Sequence, residues 1–599
     1  MSSSFKLLLV LFIASLSSTY SQENEIHKIH SHNDYEQAIP FWTAYTNGIS
    51  SIEVDIFLKN DMLYVTHDPS EIKKGRTLEN LYLEPLQNAI KLQLGNQQEI
   101  QLLIDVKSEA TTTLKKLTET LEKFPDLINV KNISFVISGN RPNPENYLDY
   151  PKYILFDYQS LENISDPNIW NKVALVSLPF NTYSNWNGKG RLTKEDYEKV
   201  ATAIHKAHSF KKPFRFWGAP DSKTAWKAFT DLGVDFINTD MPFEASKYLK
   251  TLDHRVYYNT FKSAVYTPTY ASDRENSPVK NIILLIGDGN GLSQISSAVL
   301  ANNGELTLTQ LKSIGFLKTQ SADDFTTDSA AAGTALATGE KTYNRAIGMD
   351  ANRNPIETIT ELLDKYNFIS GCITTDEITG ATPASFYSHQ LDRDMTEGTA
   401  NDLKKSKLSL FIGGGSDHFS TKFSDSNFSI LNTLNEVGTS RKQKIGYFLS
   451  NRGVPSMLTG RGNLLAEATK NGLAFLSAKN KPFFLMVEAA QIDSNGHTNN
   501  IGGIVSEGID FDTAISEAIK FADKNKNTLV IVTADHETSG LSIPQGNLEK
   551  QMIEGDFTTF DHTGTMVPIF AYGPQSDIFS GVYENSDVYH KMIKVLGIK

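Results

Sequence analysis

Short apolar runs recur along the whole chain of 599 residues, with helical or polar stretches between them. In residues 281–599 the runs are continuous and rich in branched side chains, as in "NIILLIGDG", "FFLMVEA", "TLVIVTADHE" and "VPIFAYG". Continuous apolar strands separated by long helical segments indicate a parallel sheet that is covered on both faces. This half of the chain is therefore predicted to be an α/β/α sandwich.

Residues 24–255 have a different rhythm, with eight shorter β-type runs. They read "KIHSHND", "SIEVDIF", "QLLIDVK", "ISFVISG", "YILFDY", "VALVSLPF", "PFRFWGAP" and "GVDFINTD", and amphipathic stretches separate several of them. This alternation predicts a (β/α)8 barrel, with "LYVTHD" as an added hairpin arm. The polar residues 256–280 are predicted to form a linker between the two domains.

Charge and the N-terminal residues limit the classes of protein to be considered. The net charge of −12 argues against a general nucleic-acid-binding surface. Residues 1–21 contain one lysine, a short apolar run and a small polar stretch, which predict a cleavable signal peptide and a secreted or periplasmic protein without a transmembrane anchor. The only cysteine, Cys372, excludes intramolecular disulfides and is expected to be buried.

The stretch "TTDSAAAGTALATGEK" places Ser329 directly after an acid and before two turns of small residues. One interpretation is structural, because small side chains let helices cross closely. The other is that Ser329 begins a helix whose free N–H groups and dipole favour a phosphoryl anion. The stretch alone does not decide between them.

Acids and histidines follow the apolar strands of the second half. Each one alone has a simple structural interpretation, such as a capping aspartate or a buried histidine with a partner. Together, carboxylates mixed with imidazoles suit zinc, and an oxygen-only subset suits magnesium. These residues are Asp288, Glu488, Asp493, His497, Asp535, His536 and His562.

The motifs "GDG", "TDSAAAGTA", "ATPA", "VEAAQID", "TADHE" and "DHTG" occur in an order that resembles the alkaline phosphatase family. The resemblance implies that Ser329 is the nucleophile and that Arg393 binds phosphate. It also implies two zinc ions and one magnesium ion. Their ligands would be Asp493, His497 and His562 for the first zinc, Asp288, Asp535 and His536 for the second, and Asp288, Thr382 and Glu488 for magnesium.

Two positions depart from the family pattern. Gly380 stands where members often carry histidine or aspartate, and Ser494 stands where a longer polar side chain is common. The magnesium affinity and the pH optimum therefore stay open. The stretch "SAAAG", which begins at Ser329, favours a monoesterase over a diesterase or a sulfatase of the same superfamily.

The predicted barrel has its own set of polar residues at strand ends. Glu53 and Asp55 alternate along one strand and share a face, so with Asp105 they are candidates to bind one Ca²⁺ or Mg²⁺ ion. His32 and His67 are candidates for a general base and a general acid. The alternative is that the histidines cap loops and the acids pair with lysines.

The reading "HSHNDY" resembles a divergent branch of the glycerophosphodiester phosphodiesterase and phosphatidylinositol phospholipase C-like superfamily. The resemblance implies that His32 and His67 are the acid–base pair and that Lys107 contacts phosphate. It also implies that Glu53, Asp55 and Asp105 bind metal. The substrate class stays open, because Asn33 replaces the usual arginine.

The sequence thus predicts an exported bifunctional phosphoesterase that acts on small phosphate diesters and monoesters. The barrel would cut a diester, and the second domain would release phosphate from the product. The first alternative is an alkaline phosphatase with a catalytically idle barrel. The second is that the barrel is a binding module that docks the phosphatase on a surface. The oligomeric state is open, with a homodimer among the options.

Overall fold

The chain divides into two units between Leu252 and Asp253. The computed structural model describes residues 28–95, 99–419 and 426–598. The predicted signal peptide, residues 1–21, lies outside the described residues. No helix within them has the length and apolarity needed to cross a bilayer.

The first unit contains the predicted barrel strands. Among the described residues they are β1 (Lys28–Ser31), β2 (Ser51–Lys59), β3 (Met62–Val65), β4 (Ile100–Val106), β5 (Ile133–Gly139), β6 (Ile154–Tyr158), β7 (Val173–Pro179), β8 (Phe214–Trp217) and β9 (Phe236–Thr239). Its helices are Trp42–Thr46, Glu84–Lys91, Ala110–Leu121, Pro125–Ile128, Pro167–Trp170, Lys194–Ser209, Lys223–Asp231 and Pro242–Leu249. Each barrel run of the sequence therefore forms a strand.

The barrel is closed because β1 pairs in parallel with both β2 and β9. The order around the sheet is β1-β9-β8-β7-β6-β5-β4-β2, and β3 is an antiparallel arm on β2. Buried apolar residues of β4, β5, β7 and β9 pack together in one cluster. The prediction of a (β/α)8 barrel with a hairpin arm is confirmed.

The second unit contains a ten-stranded sheet and two small sheets. Its strands within the described residues are β10 (Val256–Tyr258), β11 (Asn281–Gly287), β12 (Ser313–Lys318), β13 (Ile369–Glu377), β14 (Leu408–Gly414), β15 (Ser429–Ile430), β16 (Ile445–Phe448), β17 (Phe483–Ala489), β18 (Thr528–Thr533), β19 (Glu537–Thr538), β20 (Ser542–Asn547), β21 (Met552–Asp556), β22 (His562–Thr563), β23 (Val567–Tyr572) and β24 (Gly581–Glu584).

The large sheet has the order β15-β16-β14-β13-β17-β11-β18-β23-β12-β24. One prediction is wrong here, because β23 runs antiparallel to β18 and β12 rather than parallel. A parallel neighbour requires a crossover connection, usually a helix. Between β18 and β23 the chain instead forms the short strands β19 to β22, so β23 returns in the opposite direction.

Helices cover the large sheet on both faces, as predicted. Alternate residues of β11 lie in two different cores: Ile283 and Leu285 in one, Ile282 and Leu284 in the other. Cys372 is buried. The helices of this unit are Leu292–Ala301, Ser329–Thr338, Ile359–Lys365, Ala381–Ala384, Thr396–Lys405, Leu434–Val437, Leu464–Ser477, Gln491–His497, Ile501–Asn525 and Asp587–Val595.

The segment 256–280, predicted as a linker, lies in the second unit. Its strand β10 pairs antiparallel with β21. Phe261, Tyr266 and Tyr270 pack against the core that contains Ile283, and the Tyr266 hydroxyl donates to Asp523 at 2.8 Å. The polar composition hid this packing, because the aromatic residues of the segment supply the buried surface.

Candidate functional site

Ser329 is the first residue of the helix Ser329–Thr338 and directly follows a capping aspartate. The Asp328 carboxylate accepts the backbone N–H of Ala331 at 3.0 Å. All 10 residues of the helix are buried, and a Cβ at Gly333 would lie 2.9 Å from Ser385 Oγ. The small side chains thus permit a close approach, and the helix N-terminus beside Ser329 favours an anion. The close packing that the first interpretation requires is present, and Ser329 lies at a helix N-terminus, as the second requires.

Asp493, His497 and His562 come together from the helix Gln491–His497 and from β22. His497 Nε2 lies 3.3 Å from Asp493 Oδ2 and 3.1 Å from His562 Nε2. The Nδ1 atoms of the two histidines face the carbonyl oxygens of Phe560 and Thr327, at 2.6 and 2.8 Å. Such contacts place the proton on Nδ1 and leave Nε2 free to bind a metal.

Asp288, Asp535 and His536 form a second group beside Ser329. His536 Nε2 lies 3.5 Å from Asp288 Oδ1 and 3.3 Å from Asp535 Oδ2. The same nitrogen lies 3.2 Å from Ser329 Oγ. The two acids and His536 follow β11 and β18, which are neighbours in the sheet, so their side chains converge at one edge.

The electrostatics of this edge fit bound cations. Asp288 Oδ1 and Asp535 Oδ2 are buried and have no hydrogen-bond partner in the described structure. Burial raises the pKa of Asp288 well above its usual value, and the neighbouring Asp535 adds to the shift. Burial lowers the pKa of His536 to about 4, so its ring is neutral at pH 7. Neutral imidazoles and crowded carboxylates are the donors that zinc prefers.

A third, oxygen-only group surrounds Glu488, the residue of β17 that pairs in register with Thr374 of β13. The Thr374 hydroxyl donates to Glu488 Oε2. Thr382 is 1% exposed, and its hydroxyl has no hydrogen-bond partner among the described residues. Burial and the nearby Asp376 raise the pKa of Glu488 to about 8. Magnesium accepts such oxygen donors and keeps several waters.

Arg393 lies across from the Ser329 helix. Its guanidinium donates to Asp328 Oδ2 at 3.1 Å, and its side chain is 33% exposed. The pKa of Arg393 stays raised although burial lowers it, because Asp328 is close. The arginine is therefore held by the residue that caps the Ser329 helix, with part of its planar fork open to a ligand.

The barrel brings Glu53 and Asp55 of β2 together with Asp105, which lies near the carboxyl end of β4. Lys107 Nζ lies 3.2 Å from Asp55 Oδ2 and 3.1 Å from Asp105 Oδ2. The other oxygens of these two aspartates, both named Oδ1, are buried and have no hydrogen-bond partner in the described structure. Burial and repulsion from Glu53 raise the pKa of Asp105 to about 6. The set fits one hard cation.

The two predicted barrel histidines lie at the same end and are each oriented by an aspartate. His32 Nδ1 is 2.6 Å from Asp240 Oδ1, and His67 Nδ1 is 2.7 Å from Asp55 Oδ2. Their side chains are 29% and 61% exposed. Trp217, at the end of β8, is also partly exposed. Nε2 of either ring is thus available for proton transfer.

Several polar residues around these sites were not found from the sequence. His30 Nε2 contacts Glu53 at 2.6 Å, and Arg215 donates to Glu53 at 2.9 Å. Asp240 lies 208 positions from its partner His32. The sequence contained one usable signal, since Asp240 directly follows the last barrel strand, where site residues of such barrels are found.

The pattern of the alkaline phosphatase family matches residues 279–430, 421–555 and 545–598, more than half of the chain. The chain belongs to the alkaline phosphatase family. Members of this family generally use zinc and magnesium, which agrees with the donors described above. The second unit is called the alkaline phosphatase unit from here on.

Known relatives support this assignment. Alkaline phosphatase 4 of Bacillus subtilis (strain 168) is 30% identical over 417 residues, which are 54% of this chain and 90% of the relative. The structure of alkaline phosphatase from the Antarctic bacterium TAB5 is 42% identical, with a TM-score of 0.51, and covers 54% of this chain and 99% of that chain. A variant of the TAB5 enzyme, solved with Mg bound in its M3 site, is 40% identical with a TM-score of 0.52 over 54% of this chain and 100% of that chain. The protein is a phosphoric monoester hydrolase.

The first unit matches two further family patterns. An AIM6-like phosphodiesterase domain matches residues 19–99, and the glycerophosphoryl diester phosphodiesterase family matches residues 213–242. The matched ranges include His32, Glu53, Asp55 and His67. The resemblance of the barrel to phosphodiesterases is confirmed over these two ranges.

Proposed function

We propose that the chain is an exported bifunctional phosphoesterase. The barrel cleaves a phosphodiester, and the alkaline phosphatase unit removes phosphate from the monoester product. The observation that carries this proposal is that each unit brings metal-ligating groups to the carboxyl ends of its own strands. The order of the reactions is chemically sensible, because the product of the first is a substrate of the second.

In the alkaline phosphatase unit, Ser329 Oγ attacks the phosphorus atom of the monoester, and the ester oxygen leaves with its alcohol. A phosphoserine forms. Water then attacks the same phosphorus atom, so that inorganic phosphate is released and the hydroxyl of Ser329 returns. Arg393 binds two non-bridging oxygens through its planar fork, and the N-terminal amides of the Ser329 helix face the anion.

The metal-binding groups have separate assignments. Asp493, His497 and His562 would hold one zinc ion, and Asp288, Asp535 and His536 would hold the second. Zinc bound by these residues would supply positive charge that favours the deprotonated serine and stabilises the leaving oxygen. Asp288, Thr382 and Glu488 hold magnesium, which agrees with the buried, unpartnered hydroxyl of Thr382.

In the barrel, His32 and His67 are the acid–base pair, one activating the attacking oxygen and the other protonating the leaving oxygen. Asp240 and Asp55 orient the two rings. Glu53, Asp55 and Asp105 hold Ca²⁺ or Mg²⁺, and Lys107 contacts the phosphate. The proposed substrates are small glycerophosphodiesters, and the biological role is phosphate scavenging outside the cytoplasm.

The alternative is an alkaline phosphatase whose barrel is catalytically idle and serves as a docking module. Two observations favour the active barrel. The buried Oδ1 atoms of Asp55 and Asp105 have no hydrogen-bond partner in the described structure, which suits a cation. Both histidines are also partly exposed, and His67 contacts Asp55 at 2.7 Å.

Two variants of the full-length protein separate these possibilities. Each is given one glycerophosphodiester, and the products are identified by phosphorus NMR. Ser329→Ala removes the nucleophile but no metal ligand, so phosphate release should fall by several orders of magnitude while the monoester accumulates. His32→Ala should abolish diester cleavage and leave monoesterase activity intact, because Ser329 and its metal ligands are unchanged.

His205→Ala is the matched control for the second variant, since His205 is an exposed histidine on the helix Lys194–Ser209. It should leave both activities unchanged.

Metal analysis of the active protein should find about two zinc ions in the alkaline phosphatase unit, as the ligand sets require. Loss of diester cleavage in Ser329→Ala would favour the idle barrel, and active protein without zinc would refute the metal assignment.

A further inference from the structure

Gly380 leaves a space beside the proposed magnesium ligands that another side chain fills. Gly380 directly precedes the helix Ala381–Ala384, which carries Thr382. A Cβ at position 380 would lie 2.3 Å from Asp376 Oδ2 and 3.0 Å from the carbonyl oxygen of Glu377. The Asp376 carboxylate therefore occupies the place into which any side chain at 380 would extend.

Hydrogen bonds connect Asp376 to the proposed magnesium ligands. Asp376 lies two residues after Thr374, near the end of β13, where the pairing with β14 is irregular. Thr374 pairs in register with Glu488 and donates to its carboxylate. The same Thr374 hydroxyl accepts the backbone N–H of Asp376 at 2.8 Å. One hydrogen-bond chain thus connects Asp376 to Glu488.

The charges around Asp376 agree with this position. Its negative charge is the second cause, after burial, of the raised pKa of Glu488. Burial raises the pKa of Asp376, and the positive charge of the nearby Arg393 offsets part of this shift. The Asp376 carboxylate is therefore close enough to both Glu488 and Arg393 for their charges to interact.

We propose that Asp376 supplies a carboxylate to the magnesium site, in the position that the absence of a side chain at Gly380 leaves open. This inference rests on the proposed function, because it requires the site formed by Asp288, Thr382 and Glu488. The independent observation that points to a ligand there is the buried hydroxyl of Thr382, which makes no hydrogen bond of normal geometry and lies close to the Glu488 carboxylate.

The test is magnesium binding to the zinc-loaded, full-length protein, measured by isothermal titration calorimetry. Asp376→Asn keeps the shape of the side chain and removes its charge, so the affinity for Mg²⁺ should fall about 10- to 100-fold, the range for groups that support a metal site. The zinc content, measured by elemental analysis, should not change. Glu377→Gln is the matched control, because Glu377 is the next acid in the chain and contacts His418 at 2.6 Å instead. It should bind Mg²⁺ like the native protein.

A relocated carboxylate distinguishes a metal-binding role from a structural one. Gly380→Asp alone should weaken Mg²⁺ binding, because its Cβ meets the Asp376 carboxylate. The double variant Asp376→Ala with Gly380→Asp should recover affinity relative to Asp376→Ala. Native affinity in Asp376→Asn, or no recovery in the double variant, would overturn the inference. If the native zinc-loaded protein binds no magnesium, the proposed magnesium site itself is wrong.

Discussion

The contact between Arg393 and Asp328 permits a sharp test of phosphate binding. Arg393→Ala removes the guanidinium but leaves Asp328 Oδ1 with its two backbone donors, the N–H groups of Ala331 and Arg345, each at 3.0 Å. The cap of the Ser329 helix should therefore persist. None of the proposed zinc ligands is changed, so the zinc content should match that of the native protein.

The expected loss follows from the hydrogen bonds that Arg393 offers to phosphate. A hydrogen bond to a charged group contributes about 1.5–3 kcal/mol, and about 1.4 kcal/mol corresponds to a tenfold change in affinity. Because a third of the Arg393 side chain is exposed, solvent screening favours the lower part of this range. We expect the dissociation constant for inorganic phosphate to rise about 10- to 30-fold.

The assay is competitive inhibition of monoesterase activity by inorganic phosphate, with zinc measured in the same samples. Arg452→Ala is the control, because Arg452 is an exposed arginine of this unit that pairs with Asp417 at 3.4 Å. It should leave the inhibition constant unchanged. Unchanged phosphate inhibition in Arg393→Ala would refute the role of Arg393 in binding, and loss of zinc would show that Arg393 is a structural residue.

Two further predictions concern pH and the barrel. Burial raises the pKa of Glu488 from 4.5 to about 8, and the Asp493 carboxylate raises that of His497 from 6.5 to about 9. A group whose pKa is raised by folding stabilises the folded state at low pH, and this stabilisation is lost as the pH rises through the raised pKa. The melting temperature of chelator-treated protein should therefore fall between pH 6.5 and 9. An equal fall of the melting temperature in a zinc- and magnesium-loaded sample would contradict this prediction. In the barrel, Gly139 has φ +68°, and its Cβ would lie 1.8 Å from Asp105 Oδ1. Gly139→Ala should abolish diester cleavage and spare monoesterase activity. Gly218→Ala should retain both activities, because Gly218 has φ +60° and an added Cβ would meet no atom within 4 Å. Equal loss of diesterase activity in the two variants would refute the role of Asp105.

The sequence predicted the barrel well because its strands are short apolar runs with clear boundaries. The runs around Glu53 and Asp105 became neighbouring strands, β2 and β4. The sequence did not predict that β23 is antiparallel, because an apolar run alone does not determine the direction of a strand in a sheet. It also failed for residues 256–280, where polar composition concealed tyrosines that pack on the core.

The positions of the site residues followed from strand ends, but their partners did not. The contact of Asp240 with His32 and that of Asp328 with Arg393 join distant parts of the chain, which local patterns do not report. Gly380 stood out in the sequence as a departure from the family pattern. That Asp376 fills its space became visible only in three dimensions, because the two residues meet through a turn after β13.

The strand-end arrangement of the alkaline phosphatase unit has a consequence for how the protein matures. Ser329 and His536 are separated by 207 positions, and Gly289 contacts Asp535 across 246. Such distant pairings form late, after the costly closure of long loops. A chain still on the ribosome has Asp288 and Ser329 but lacks His536 and His562, so it has no complete cage for an ion. In the alkaline phosphatase unit, translation of nearly the entire polypeptide must therefore precede completion of the proposed zinc sites, and we expect a product truncated before His536 to lack monoesterase activity.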